Sequence, residues 1–211
     1  SIDNKHLNES KLSTICKNPL FKSLVPMGFF SYGGLFAIQT LWAGPWMIRV
    51  SGYTPEESAQ GLFIIYFCML ISFLVWGYFV PKFSKNVNDA IRLLKIGAPI
   101  NLFVLIIIIY LGSKAGSIHW ALFIVSSIFL SLTQPAVGMA FSISNAGKAL
   151  TSFNLLIFIG AFFIQWIIGL IIDAGISLNL SEINSFKLAM IFVLITSLLS
   201  YLFFLWKVKI N

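Results

Sequence analysis

The run from Gly147 to Asp173, GKALTSFNLLIFIGAFFIQWIIGLIID, limits what this chain can fold into more than any other stretch. Between Leu155 and Ile172 it has no charged residue, and Lys148 and Asp173 close it. A helix of ~20 mainly apolar residues covers the ~30 Å hydrocarbon core of a bilayer. The run therefore reads as a membrane-spanning helix. Asn154, Gly160, Gln165 and Gly169 interrupt its apolar character. Glycine lets a neighbouring backbone come close, and an amide at membrane depth needs a partner or a watery cavity. One face of this helix is thus expected to pack against protein and to border a pathway or another polar group.

Five more apolar runs repeat the theme, and composition agrees. The chain is 58% hydrophobic and 10% charged, whereas soluble domains carry about 25% charged residues. The expected fold is all-α and polytopic. Residues 1–19 form a polar tail or linker, and residues 20–211 a domain of six spans at about 24–48, 59–79, 91–111, 118–143, 152–172 and 186–206. Gly44-Pro45 should kink or thin the last turns of the first span, and Pro135 should bend the fourth, because proline removes a backbone donor. Ser142, Ser144 and Asn145 are expected to lead into a short loop, AGK, before the fifth span. Pro55, Glu56 and Glu57 suit the opening of the second.

The net charge of +7 invites a nucleic-acid reading. The positions of the charges oppose it, since they fall between the apolar runs. With six spans, Lys5, Lys11, Lys17, Lys22, Lys82, Lys85, Arg92, Lys95, Lys148, Lys207 and Lys209 share one side, and only Arg49, Lys114 and Lys187 the other. The positive-inside rule places the basic side, and both termini, in the cytoplasm. The bilayer is then a bacterial inner membrane or its equivalent. His6 is a lone histidine in the polar tail with no special role. Cys16 and Cys68 show neither a disulfide nor a metal pattern, so no metal and no cofactor is expected.

Membrane enzymes leave signatures that are missing here. There is no HExxH, no Gly-flanked serine with a histidine on another span, no pair of aspartates within spans and no phosphate-binding glycine loop. Two Asn-Pro-Ala boxes and a TVGYG filter are equally absent. No enzyme is expected. What remains is a set of neutral polar groups at depth: Gln39, Trp42, Asn101, Gln134, Asn154 and Gln165. Each either glues neighbouring helices or lines a solute pathway. Gln39 and Gln134 stand beside the proline interruptions, where transporters form their cavities. No acidic or basic residue lies well inside a span, so this chain supplies no obvious ion-coupling group.

Two groups of residues form a familiar pattern: Leu41-Trp42-Ala43-Gly44-Pro45-Trp46 with Gly52-Tyr53-Thr54 and Glu57, and the fifth run with Asn154, Gly160, Gln165, Gly169 and Asp173. On these residues the chain resembles the C-terminal six-helix half of a major facilitator superfamily transporter. The loop from Gly77 to Lys85 sits where the family carries a Gly-x-x-x-Asp-Arg-x-x-Arg motif. Gly77 is kept, Lys82 and Lys85 are its basic residues, and Pro81 stands at the acidic position. The likeness extends over about residues 17–208.

The resemblance implies two three-helix repeats, with the proline-broken span first in each. It implies that the first, fourth and fifth spans line a cavity, and that a missing N-terminal half or a second copy completes it. The expected function is secondary active transport of a small organic solute by alternating access, as a permease or efflux carrier. Gln39, Trp42, Gln134, Asn154 and Gln165 would bind the solute, and Gly44, Pro45 and Pro135 would permit gating. The start at Ser1 suits a piece of a longer chain. The competing expectation is a half-length bundle that scaffolds or assembles with a partner.

Overall fold

The computed structural model describes residues 12–208; His6, Lys5, Lys11 and Lys209 lie outside them. Among the described residues there is no strand, and six helical spans are long and apolar enough to cross a membrane: Pro19–Arg49, Pro55–Phe83, Val87–Lys114, Ser117–Met139, Ile143–Ser177 and Glu182–Lys207. Large apolar side chains such as Phe63, Leu74, Phe103, Phe162 and Leu199 stand exposed around them. A surface this apolar is incompatible with water and suits lipid or a partner. The chain is an integral membrane protein.

Local chemistry sets the span boundaries. Thr54 and Glu57 form a reciprocal capping box at the start of the second span, with Pro55 in its first turn. Asn18, Asn86 and Ser181 cap the first, third and sixth spans through their side-chain oxygens. Gly52 and Gly112 turn the chain at φ of 76° and 56°, a region open to glycine. Within the stretch expected as tail, Leu12–Lys17 is a short helix, and Ile15 joins the core.

Three expectations need correction. At Gly44-Pro45, where the sequence predicts a kink or thinning, α-helix continues through both to Arg49. Its irregularity comes earlier, as two wide π-helical stretches, Met27–Tyr32 and Ile38–Trp42. The Ala43 N–H bonds back to the Ile38 carbonyl, five residues away. In the fourth span the disturbance precedes Pro135: Ser127–Leu132 is tight 3₁₀-helix, and α-helix resumes at Thr133. A proline lacks its own donor, so the preceding turn adjusts. Finally, the turn before the fifth span falls at residues 140–142. Ser144, Asn145, Gly147 and Lys148 are already helical.

The first span is the most enclosed. In its most apolar window 61% of residues are buried, against 6% for the second span. It packs on the fifth and sixth spans, while the fourth packs on the second, third and fifth. Where the first and fifth cross, Gly33 and Gly160 allow backbone to meet backbone. A Cβ on Gly33 would lie 2.9 Å from the Ala161 nitrogen and the Gly160 carbonyl carbon. At the end opposite the basic loops, Trp46, Trp120 and Phe186 form an edge-to-face cluster, with Trp46 and Trp120 centroids 5.5 Å apart.

Candidate functional site

The five expected solute-binding residues fall into two layers along the fifth span. Toward its basic end, Gln134 donates from Nε2 to Asn154 Oδ1 at 2.7 Å, joining the fourth and fifth spans. Toward the other end, Gln165 donates from Nε2 to Thr40 Oγ1 at 2.8 Å, and the Trp42 indole donates to the Gln165 backbone carbonyl at 3.2 Å. Asn154 and Gln165 are 11 residues apart in one helix. At about 100° and 1.5 Å per residue they share a face, ~20° apart in azimuth and ~16 Å apart in depth. The fifth span thus carries a broken polar stripe, two amide levels separated on the same face by Phe158 and Ala161, with a partner from the fourth span at one level and from the first at the other.

The wide π turn shapes the second layer. Gln39 is buried, and its backbone carbonyl accepts from the Tyr66 hydroxyl of the second span at 2.7 Å. Thr40, next to it, is exposed and bonds back to the Phe36 carbonyl. At this level the Thr40 hydroxyl meets the Gln165 amide and the Trp42 indole meets the Gln165 backbone carbonyl, while the Gln39 carbonyl of the same turn engages the second span. π-helical turns recur at functional sites because they displace side chains from the α-helical register. Thr40 and Tyr66 escaped the reading of the sequence. The signal for Thr40 was its place between Gln39 and Trp42; nothing marked Tyr66 among so many aromatics.

Not every polar group joins this stripe. Asn101 donates to the Phe123 carbonyl and to Ser126 Oγ at 2.9 and 3.0 Å, binding the third span to the fourth. Ser31 and Ser200 bond at 2.9 Å between the first and sixth spans. These are buried glue contacts. Gly44 is buried against Leu62 and Ser58 of the second span, and Pro45 follows it at half exposure. Pro135 is exposed beside Gln134. The loop residues lie apart from the stripe: Gly77 has open space around it, the Lys82 ammonium sits 3.9 Å over the Tyr78 ring, and the Lys85 N–H donates to Asp89 Oδ2. At the far end Arg49 pairs with Glu182 at 3.1 Å, linking the first and sixth spans.

Among the described residues no group of histidine, cysteine, aspartate or glutamate is arranged to hold a metal. Chemically the stripe offers uncharged donors and acceptors at membrane depth. No protein-family model, curated protein or solved structure matches the chain.

Proposed function

We propose that the chain is the C-terminal half of a secondary transporter of the major facilitator type, moving a small neutral or weakly polar organic solute by alternating access. The observation that carries this reading is the pair of amide contacts on one face of the fifth span, Gln134–Asn154 and Gln165–Thr40. They stand at two depths of a regular fifth helix; Thr40 lies inside the π-helical stretch of the first span, and Gln134 two residues after the 3₁₀ stretch of the fourth. Interrupted helices free backbone groups where a cavity can use them.

The packing plan also supports two three-helix repeats. Exchanging spans one to three with spans four to six turns the contacts of the first span, on the second, fifth and sixth, into those of the fourth, on the fifth, second and third. One feature departs from the exchange: the fifth and sixth spans pack extensively, while the second and third do not. The second and fifth spans expose aromatic rings, notably Phe63, Phe67, Phe162 and Trp166. The sixth exposes mainly leucine and isoleucine. Aromatic residues are enriched in protein interfaces, so the aromatic faces suit the companion half, or a second copy in a half-length assembly. The basic end then faces the cytoplasm.

The test replaces Gln39, Gln134 and Gln165 by Leu, one at a time, in the complete transporter. Loss of solute uptake with normal expression and melting supports the site. Unchanged uptake kinetics in all three variants would remove these residues from it and leave them as helix glue, typically worth ~0.6 kcal/mol each.

A further inference from the structure

The seam between the first and sixth spans holds two cavities, one above the other. The upper lies at the basic end, has a volume of about 250 Å³, and is walled by Pro19, Leu20, Ser23, Asn88, Ile91 and Lys207. The lower, also about 250 Å³, is walled by Pro26, Phe30, Thr196, Leu199, Ser200 and Phe203, and its lining is almost wholly apolar. Both open to the outside of the bundle. Pro19, Ser23, Pro26 and Phe30 follow helical spacing on one face of the first span, as Thr196, Leu199, Phe203 and Lys207 do on the sixth. The step from Pro19 to Pro26 is seven residues, or ~10 Å along the axis. The seam is therefore polar and cationic at its mouth and greasy a turn or two deeper.

The electrostatics of the mouth favour an anion. The Lys207 ammonium rests 4.1 Å over the Trp206 ring. The first turns of both the first and third spans border the mouth with their positive dipole ends, although Pro19 has no N–H and the Phe21 and Asp89 N–H groups are taken by the Asn18 and Asn86 side chains. The Val208 carbonyl, which would repel an anion, already accepts from Lys95 Nζ at 3.2 Å. Lys22 and Arg92 stand exposed at the same end. The acid of the third span's first turn, Asp89, accepts from the Lys85 N–H.

We propose that this seam seats one anionic glycerophospholipid, with its phosphate at the mouth beside Lys207 and an acyl chain in the groove beneath. The occupant follows from the sequence of chemistries along the seam, charge above and hydrocarbon below, in a protein already immersed in such molecules. Basic pockets between spans are known to take lipid headgroups. The inference stands apart from the transport reading, since it uses neither the amide stripe nor a companion half.

Native mass spectrometry of the full chain, released from detergent with phosphatidylglycerol or phosphatidylcholine of identical acyl chains, tests it. Wild type should retain phosphatidylglycerol about fivefold better, the factor expected of one near-surface lysine. Lys207→Gln should abolish most of that preference and leave phosphatidylcholine binding as it was. Leu199→Trp fills the groove from an exposed position and should lower retention of both lipids; Thr196→Phe is a second filling variant should the first reduce melting temperature. Equal retention of the two lipids by wild type would overturn the proposal, as would unchanged retention in a folded groove-filling variant. If excess inorganic phosphate displaces phosphatidylglycerol equally from wild type and Leu199→Trp, the mouth takes free phosphate and the lipid assignment fails.

Discussion

Gly160 makes the sharpest stability test, because its neighbour is backbone rather than side chain. A Cβ placed there would lie 2.9 Å from both Cα and the carbonyl carbon of Phe29, and nearer still to that carbonyl oxygen. Ordinary contact begins near 3.4 Å. The first and fifth spans would have to part by 3.4 − 2.9, about 0.5 Å, to relieve the carbon contacts alone, and by more for the oxygen. A rotamer change cannot supply that movement, so the whole crossing shifts, including the reciprocal contact at Gly33. Overpacking of this kind costs ~1–3 kcal/mol. We expect Gly160→Ala to cost about 2 kcal/mol, a fall of about 5 °C in melting midpoint for a chain of this size. Gly160→Leu should fail to assemble. Two controls calibrate the result. Gly28→Ala meets the Phe153 ring, a side chain rather than backbone but fully buried, and should cost less than Gly160→Ala without being silent; Gly77→Ala enters open space and should be silent. Thermal melts of the detergent-purified variants, followed by helical circular dichroism, give the ranking. Equal midpoints for Gly160→Ala and Gly77→Ala would refute the backbone-contact account of this crossing. Phe158→Leu, on an exposed ring, should assemble normally beside Gly160→Leu.

Other outcomes follow from the same structure. Cysteines at Gly52, Ser113 and Ser177 should react with an impermeant reagent from outside the cell, and those at Ser84 and Gly147 should not; external labelling at Ser84 would overturn the orientation. Arg49→Ala should change stability by less than about 1 kcal/mol, because its ion pair with Glu182 is half exposed and water competes for both partners. A larger loss would mean that this contact holds the ends of the first and sixth spans together.

The number and type of spans were legible in the sequence because hydropathy reports directly on the bilayer. Span ends were less so. The fourth span stops at Met139, short of the expected 143, because polar Ser144 and Asn145 sit comfortably in the first turn of the next helix. Proline marked disturbed spans but not where the disturbance falls, since the neighbouring turn absorbs the strain. The amides were visible as polar groups at depth. Their pairing of Gln134 with Asn154, and of Gln165 with Thr40, depends on helix rotation and crossing, which a local pattern does not encode. The part played by the Gln39 backbone carbonyl was hidden for the same reason, because a π turn has no residue signature of its own.

Alternating access is the core of the transport reading, and Thr40 reports on it most directly. It is exposed, it is bonded by Gln165, and it lies nine residues inside Arg49, or ~13 Å from that end of the span. The measurement is impermeant-maleimide labelling of Thr40→Cys, with Cys16 and Cys68 replaced, in membrane vesicles of both orientations that carry the protein. Ile195→Cys on the aliphatic face of the sixth span serves as the lipid-facing control. The account expects Thr40→Cys to label from either side of the membrane, with the ratio shifting when a transported solute is added, and Ile195→Cys to label from neither. Thr40→Cys that stays as unreactive as Ile195→Cys in both orientations would contradict it.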